Sequence, residues 1–156
     1  MKKLLLIICL LCIAFFASAC GGDKNPAYIK ASNTESKLQI GDAQNLEFEW
    51  VYSPEEIYCH ITNNSDTDYA AGYGTLEVFA NGKWMMAKCQ DPACIPEVEF
   101  PIPANSVSGE ISVFLAAYGN AFLPGRYRAV LELSECSDST ATASAVFYTA
   151  YEFTVE

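Results

Sequence analysis

The chain has 156 residues, of which 51% are hydrophobic, and its formal net charge at pH 7 is −10. This length predicts a single domain with one hydrophobic core, and we do not expect a second domain. The chain has 19 Asp and Glu residues against nine Lys and Arg residues, whereas binding to phosphate backbones needs clustered cations. The composition therefore excludes nucleic acid as a partner.

The first twenty residues have the parts of an export signal. A basic start at residues 2–3 precedes an unbroken apolar run, residues 4–17, which is too short for a comfortable membrane span. Small residues follow, and the segment ASAC, residues 17–20, resembles a bacterial lipobox. The resemblance implies that residues 1–19 are removed as a signal peptide and that the thiol of Cys20, the first mature residue, receives a diacylglyceryl group.

Lipidation at Cys20 determines where the protein is expected to act. Each buried methylene of an acyl chain contributes about 0.8 kcal/mol, so two or more chains hold a small domain at a membrane without inserting protein. The mature chain keeps seven basic and all 19 acidic residues, a formal charge of −12, which disfavours adsorption to anionic lipids and favours a monomer. We expect an outward-facing protein of the cell envelope, on the plasma membrane or on an outer membrane, that contacts the membrane through its lipid.

The mature chain divides into a tether and a domain. Residues 20–37 are polar, contain Gly, Pro, Ser and Asn, and show no apolar period, which predicts a flexible, lipid-anchored tether. Residues 38–156 consist of short alternating segments separated by turn residues, and this pattern predicts an all-β domain. In the predicted strand 46–52, aromatic side chains share one face and glutamates share the other.

The strongest local signal in the domain is a β-hairpin. Strands are predicted at residues 75–79 and 83–88, and Asn81-Gly82 lies between them. Both residues of a type I′ turn need positive φ, which Asn and Gly adopt at least cost. Trp84 and Met86 share a face of the second strand, and we expect them to pack against the core.

The second half of the chain supplies the remaining strands. Three prolines within residues 95–104 predict an edge strand or an extended linker there. Further strands are predicted at residues 110–115, 126–133 and 145–155. About seven or eight short antiparallel strands in one domain predict an immunoglobulin-like β-sandwich.

A proline-glycine turn, LPGRY at residues 123–127, sharpens this expectation. In immunoglobulin-like sandwiches such a turn delivers a tyrosine to the start of a strand, where its hydroxyl bonds to nearby backbone. Tyr127 is therefore predicted to form this tyrosine corner, which gives it a structural role.

The cysteine count predicts two disulfides. Removal of the signal peptide and lipidation of Cys20 leave four thiols, Cys59, Cys89, Cys94 and Cys136. An even number in an exported chain favours disulfides. Three pairings are possible; we favour Cys89 with Cys94 across their short loop, which leaves Cys59 with Cys136.

The residues that carry catalysis or bind metals are sparse. The only histidine, His60, lies in the middle of a predicted strand, opposite to Cys59, and is interpreted as a surface residue. Cys89 and Cys94 with Cys59 or His60 offer an alternative zinc site, although oxidising export favours disulfides over this ligand set. We therefore predict no catalytic residues, no metal and no cofactor.

Nine tyrosines offer a second kind of site. Tyrosine rings supply large, rigid contact area for a protein or a carbohydrate, and they also fill sandwich cores. For five of these tyrosines the sequence does not determine whether the side chain points into the core or to the surface. A cluster of exposed tyrosines would favour a binding surface. These five are Tyr58, Tyr69, Tyr73, Tyr118 and Tyr148.

Several stretches resemble one family of bacterial immunoglobulin-like domains, found in exported and lipid-anchored proteins. They are NNSDTDYAAGYGTLEVFANGKW from Asn63, the pair Tyr118-Gly119, LPGRYR from Leu123 and the closing YEFTVE. The resemblance covers most of residues 46–156. It implies a sandwich fold and a cell-envelope setting and brings no catalytic residues. A weaker similarity, at the level of architecture, is to bacterial proteinase-inhibitor domains.

The leading functional hypothesis is a non-enzymatic lipoprotein whose immunoglobulin-like module serves as a structural or binding domain for an envelope protein or a glycan. The alternative is a proteinase inhibitor, which needs an exposed rigid loop. The segment around Asp91-Pro92 and the loop at residues 117–123 are the two candidates. A metal-dependent enzyme is the third hypothesis and has the least support.

Overall fold

The structure, a computed structural model, describes residues 27–41, 43, 45–90, 95, 97–136 and 145–156. The predicted signal peptide, Cys20 and the first part of the predicted tether lie outside the described residues. Within those ranges the chain forms β-strands and one short 3₁₀ turn, and no helix there is long and apolar enough to cross a membrane.

The described residues contain eleven strands. In chain order these are β1 (Ala31–Glu35), β2 (Leu46–Tyr52), β3 (Ile57–Asn63), β4 (Tyr69–Ala71), β5 (Thr75–Ala80), β6 (Lys83–Ala87), β7 (Phe100–Ile102), β8 (Ser106–Val107), β9 (Ile111–Val113), β10 (Gly125–Glu135) and β11 (Val146–Val155). The count exceeds the prediction because β4 and β8 are too short for alternation to reveal them and β1 is polar.

The strands form two antiparallel sheets, which confirms the all-β prediction. In the large sheet the longest strand, β10, pairs with β11 along one edge and with β5 and then β4 along the other. β6 and β1 extend this sheet beyond β5, and β7 extends it beyond β4. In the small sheet β3 is central, with β2 on one edge and β8 and β9 on the other.

The hydrophobic core lies between the two sheets. Alternate side chains point inward because successive residues of a strand face opposite sides. Ile57 and Ile61 of β3 and Leu131 and Leu133 of β10 are fully buried, and the buried clusters combine residues of both sheets. The alternation predicted for β2 is also present, since its two glutamates are exposed.

The predicted hairpin is confirmed, and one detail of it is corrected. Asn81 and Gly82 have φ values of 55° and 77°, as a type I′ turn requires. However, Trp84 and Met86 point to the outer face of the large sheet and do not pack against the core. Register is the reason: Met85 lies opposite the inward-facing Val78, so the alternate residues of β6 face outward.

The N-terminal part of the domain corrects the predicted tether. Ile29 is 1% exposed in the core, and its amide donates to the carbonyl oxygen of Ala121 at 2.9 Å. β1 then pairs with β6. Residues 27–37 therefore belong to the folded domain, because one apolar side chain and an edge strand hold a segment that is otherwise polar.

Residues 36–40 form a strap across the outer face of the large sheet. The amide of Ser36 donates to the carbonyl oxygen of Trp84 on β6, and Ile40 bridges Tyr148 on β11. Between these ends, Leu38 lines a cavity together with Met86 and other outer-face residues. The strap therefore covers part of a face that would otherwise be open.

Tyr127 forms the kind of hydrogen bond that the sequence predicts for it. Its hydroxyl donates to the carbonyl oxygen of Leu123, four residues upstream, at 2.7 Å. Its ring is 2% exposed and stacks on Phe153 with a centroid distance of 5.7 Å. The side chain thus joins the loop before β10 to the core.

Candidate functional site

The structure does not contain the predicted Cys59–Cys136 disulfide, because both thiols are free. Cys59 is fully buried in β3, whereas Cys136 is exposed just beyond β10. The number of cysteines does not show whether each side chain points into the core or to the surface, which is why the predicted pairing of Cys59 with Cys136 is wrong. Cys89 is free as well, and its predicted partner Cys94 lies outside the described residues.

The described residues of the alternative zinc site do not come together, and Cys94 lies outside the described ranges. Cys59 points into the core, and burial raises the pKa of its thiol to about 12, which keeps it protonated. His60 faces the opposite side of β3 against the ring of Tyr58. Cys89 lies instead against the carbonyl oxygen of Ala117. Over the described ranges, no three His, Cys, Asp or Glu residues form a group able to hold a metal ion.

The loop considered for an inhibitor is largely covered. Ala117, Tyr118 and Gly119 are buried. The amide of Asn120 donates to the carbonyl oxygen of Ala27, so the N-terminal segment occupies one side of this loop. The second candidate, Asp91-Pro92, lies outside the described residues.

Of the five tyrosines whose orientation the sequence does not determine, some lie in the core and others lie at the surface. Tyr69 and Tyr118 are buried, and Tyr58 is half-buried on the outer face of the small sheet. Tyr73 and Tyr148 line one cavity of about 400 Å³ on the outer face of the large sheet. We call this cavity the groove, and it is the candidate functional site.

The groove exists because one strand path is interrupted. β4 and β5 pair with the same edge of β10 but are separated by Gly72-Tyr73-Gly74. The amide of Gly74 donates to the carbonyl oxygen of Ser112 in the small sheet at 3.0 Å, so the chain dips inward at this point. A Cβ on Gly74 would lie 2.6 Å from a methyl group of Val113, so glycine is required there.

The groove combines an apolar base with polar edges. Its buried base includes Ala70 and Val130, and the half-buried Leu38 and Met86 add apolar wall. The lining also contains two tyrosines and two exposed glutamates, whose polar groups can contact a ligand. These four residues are Tyr73, Glu99, Glu132 and Tyr148.

The electrostatic environment of the groove is negative. The hydroxyl of Tyr148 donates to Glu132 Oε2 at 3.0 Å. This hydrogen bond, followed by burial and the carboxylate charge, raises the pKa of Tyr148. No Lys, Arg or His is present among the described residues that line the groove. The carboxylates of Glu99 and Glu132 are therefore not neutralised by a cation of the groove.

A second region of the same outer face consists of charges and rings that contact one another. Its guanidinium carbons lie over aromatic rings, that of Arg126 at 4.6 Å from the Phe79 centroid and that of Arg128 at 4.6 Å from the Trp84 centroid. Arg128 Nε donates to Oε2 of the fully buried Glu77 at 2.6 Å. We call these four aromatic and arginine residues the arginine stack.

Sequence reasoning identified only part of the groove. It named Tyr73 and Tyr148 as tyrosines of open direction, but it assigned Met86 to the core and treated Leu38 only as the start of the domain. The strap and the strand register bring these residues together, and neither is encoded locally. The one local signal is the pair of glycines around Tyr73, which mark an interrupted strand.

Comparisons with known proteins do not add an identification. No protein-family model, no curated protein and no solved structure matches the chain. Function is therefore inferred from the groove and from the N-terminal sequence.

Proposed function

We propose that the protein is a non-enzymatic, lipid-anchored binding protein of the cell envelope, carried on an immunoglobulin-like β-sandwich. In this proposal residues 1–19 are a cleaved signal peptide and Cys20 holds the diacylglyceryl anchor. The groove binds an envelope protein or a glycan. The observation that carries the proposal is the groove itself, since a concave site with apolar walls and a few polar groups is the usual form of a binding site.

The chemistry of the groove supports binding over catalysis. Tyrosine rings and aliphatic side chains provide contact area, and the carboxylates provide orientation. General acid–base catalysis requires a carboxyl group that is buried and perturbed, whereas Glu99 and Glu132 are both exposed. These side chains can hold a ligand without reacting with it.

The position of the domain relative to the anchor limits the partner. The described part of the domain begins at Ala27, seven positions after the cysteine proposed to carry the lipid. Seven residues span at most about 25 Å when fully extended. The binding partner is therefore expected close to the membrane that holds the lipid.

The anchor is tested with Cys20→Ala in the full-length protein. Because the variant has no lipid-bearing thiol, it is expected in the soluble fraction while the wild type stays with the membranes, as measured by fractionation and immunoblotting. Cys136→Ala removes an exposed thiol that has no part in anchoring, and it serves as the matched control. Membrane retention of Cys20→Ala equal to that of the control would contradict the proposal.

The binding role is tested by affinity capture from envelope extract with full-length protein. Gly72→Val places a side chain in the groove and is expected to abolish capture, because a Cβ at Gly72 meets nothing within 4 Å and so fills open space. Gly109→Val has equally open surroundings outside the groove, and it is expected to capture the same component as the wild type. Identical recovery with Gly72→Val would exclude the groove as the binding site.

A further inference from the structure

We propose that the groove takes the side chain of an exposed lysine on a partner protein. This inference rests on the proposed function and names the ligand chemistry of the same site. It depends on three observations. Gly72 leaves open space beside two glutamates, the base of the groove is apolar, and no described lining residue supplies a cation to the two carboxylates.

The gap follows from strand register. Ala71 pairs with both Phe100 on β7 and Leu133 on β10, and the next residue, Gly72, lines the groove together with Glu99 and Glu132, which adjoin those two partners. Adjacent strands are about 4.8 Å apart, so β7 and β10, which flank β4, are about 10 Å apart where the two glutamates adjoin them. Since Gly72 has no side chain and open space above it, a slot remains between the two carboxylates.

The apolar base suits an alkyl stem. Ala70 and Val130 form the buried base, and Leu38 and Met86 flank it. A lysine carries four methylenes that pack along apolar surface while the ammonium group stays near polar partners.

The charge of the groove suits an ammonium group at its edge. Glu132 already accepts one hydrogen bond, from the neutral hydroxyl of Tyr148, and its negative charge remains. Tyr148 lines the same space, and tyrosine faces attract cations within about 6 Å. The net negative charge of the whole chain also attracts basic partners over longer distances.

The test is an NMR titration of the isotope-labelled full-length protein in detergent. The probe is the peptide acetyl-Gly-Lys-Gly-amide, and the matched control peptide carries Nε-acetyllysine, which keeps the stem and removes the charge. We expect the lysine peptide to shift the backbone amide signals of Gly72 and Tyr148, and the acetyllysine peptide to shift them much less. Equal shifts with both peptides would overturn the proposal.

Three variants locate the binding. Glu99→Gln and Glu132→Gln are each expected to lower the affinity for the lysine peptide about two- to fivefold. This range corresponds to the usual strength of an exposed ion pair. Gly72→Val is expected to abolish the shifts, and Gly109→Val to leave them unchanged. Unchanged affinity in both glutamine variants would overturn the inference.

Glucosamine, an amino sugar, is titrated in parallel to distinguish the source of the ammonium group. We expect weaker binding of glucosamine than of the lysine peptide, and the reverse order would overturn the assignment to a protein partner. Loss of partner capture by Gly72→Val without any lysine-peptide binding would contradict this inference alone and leave the proposed function standing.

Discussion

On the outer face of the large sheet, the arginine stack and the groove satisfy their charges in different ways. Arg126 has Glu152 as a partner at 3.1 Å, and Arg128 has Glu77 at 2.6 Å. The groove has two carboxylates and, among its described lining residues, only a tyrosine hydroxyl as donor to one of them. One region is neutralised from within, and the other presents negative charge to solvent.

The difference separates structural charge from available charge. A buried ion pair is tolerated only where each partner compensates the other, and removal of one partner leaves an uncompensated charge. Exposed carboxylates beside apolar surface have no such constraint and are free to meet an external cation. The arginine stack is therefore expected to govern stability, and the groove to govern recognition.

The largest expected effect comes from Arg128→Met. This change leaves the carboxylate of Glu77 fully buried without its cation, so we expect the free energy of unfolding to fall by about 3–5 kcal/mol in urea denaturation. Arg126→Met removes an exposed pair and is expected to cost less than about 1 kcal/mol.

The double variant Arg128→Met with Glu77→Leu removes both buried charges and is expected to recover much of the loss. If Arg128→Met alone does not fold, this double variant still allows the energetic effect of the buried ion pair to be measured. Equal destabilisation by Arg128→Met and Arg126→Met would show that burial of the pair has no energetic consequence.

An intermediate effect is expected at the two glycines that shape the groove. Gly74→Ala forces a Cβ against the methyl group of Val113 and should destabilise the protein by about 1–3 kcal/mol, the usual cost of overpacking. Gly72→Ala meets open space and should change stability by less than about 0.5 kcal/mol. Urea midpoints measure both, and similar midpoints would contradict the inward dip of the strand.

The smallest effect concerns Tyr148. Its hydrogen bond to Glu132 favours the neutral phenol, so the pKa of Tyr148 lies above the ordinary value of 10.0. The resulting stabilisation is present below pH 10 and is lost as pH rises through the pKa of the folded state. Glu132→Gln should lower the pKa of Tyr148 in an NMR titration, with Glu47→Gln as a distant control. An unchanged pKa would mean that the hydrogen bond is absent in solution.

Local patterns predicted the strands well and their partners poorly. The alternation of β2 and β3 and the Asn81-Gly82 turn were each predictable because the strand period and turn chemistry are local. Which face of β6 points inward depends on its register with β5, so the direction of Trp84 was not predictable. Arg128 and Glu77 are 51 residues apart in sequence, and only the completed sheet makes them neighbours.

The groove was predictable only in part for a related reason. Aromatic and acidic residues are visible in the sequence, but the site depends on a missing side chain at Gly72 and on a strap that crosses from another edge. Composition cannot distinguish a glycine that opens a slot from one in an ordinary turn. Neither the strap nor β1 was expected, since hydrogen bonds to neighbouring backbone can order a polar segment that has little apolar surface of its own.

The ordered N-terminal segment has a mechanical consequence. In the lipid-anchored protein that we propose, a pull on the domain would load the backbone hydrogen bonds between residues 27–29 and the loop at Asn120 and Ala121, and then the pairing of β1 with β6. Detachment of residues 27–41 would add up to about 50 Å to the link between membrane and domain. Because the strap belongs to that segment, its detachment would also remove Leu38 from the groove.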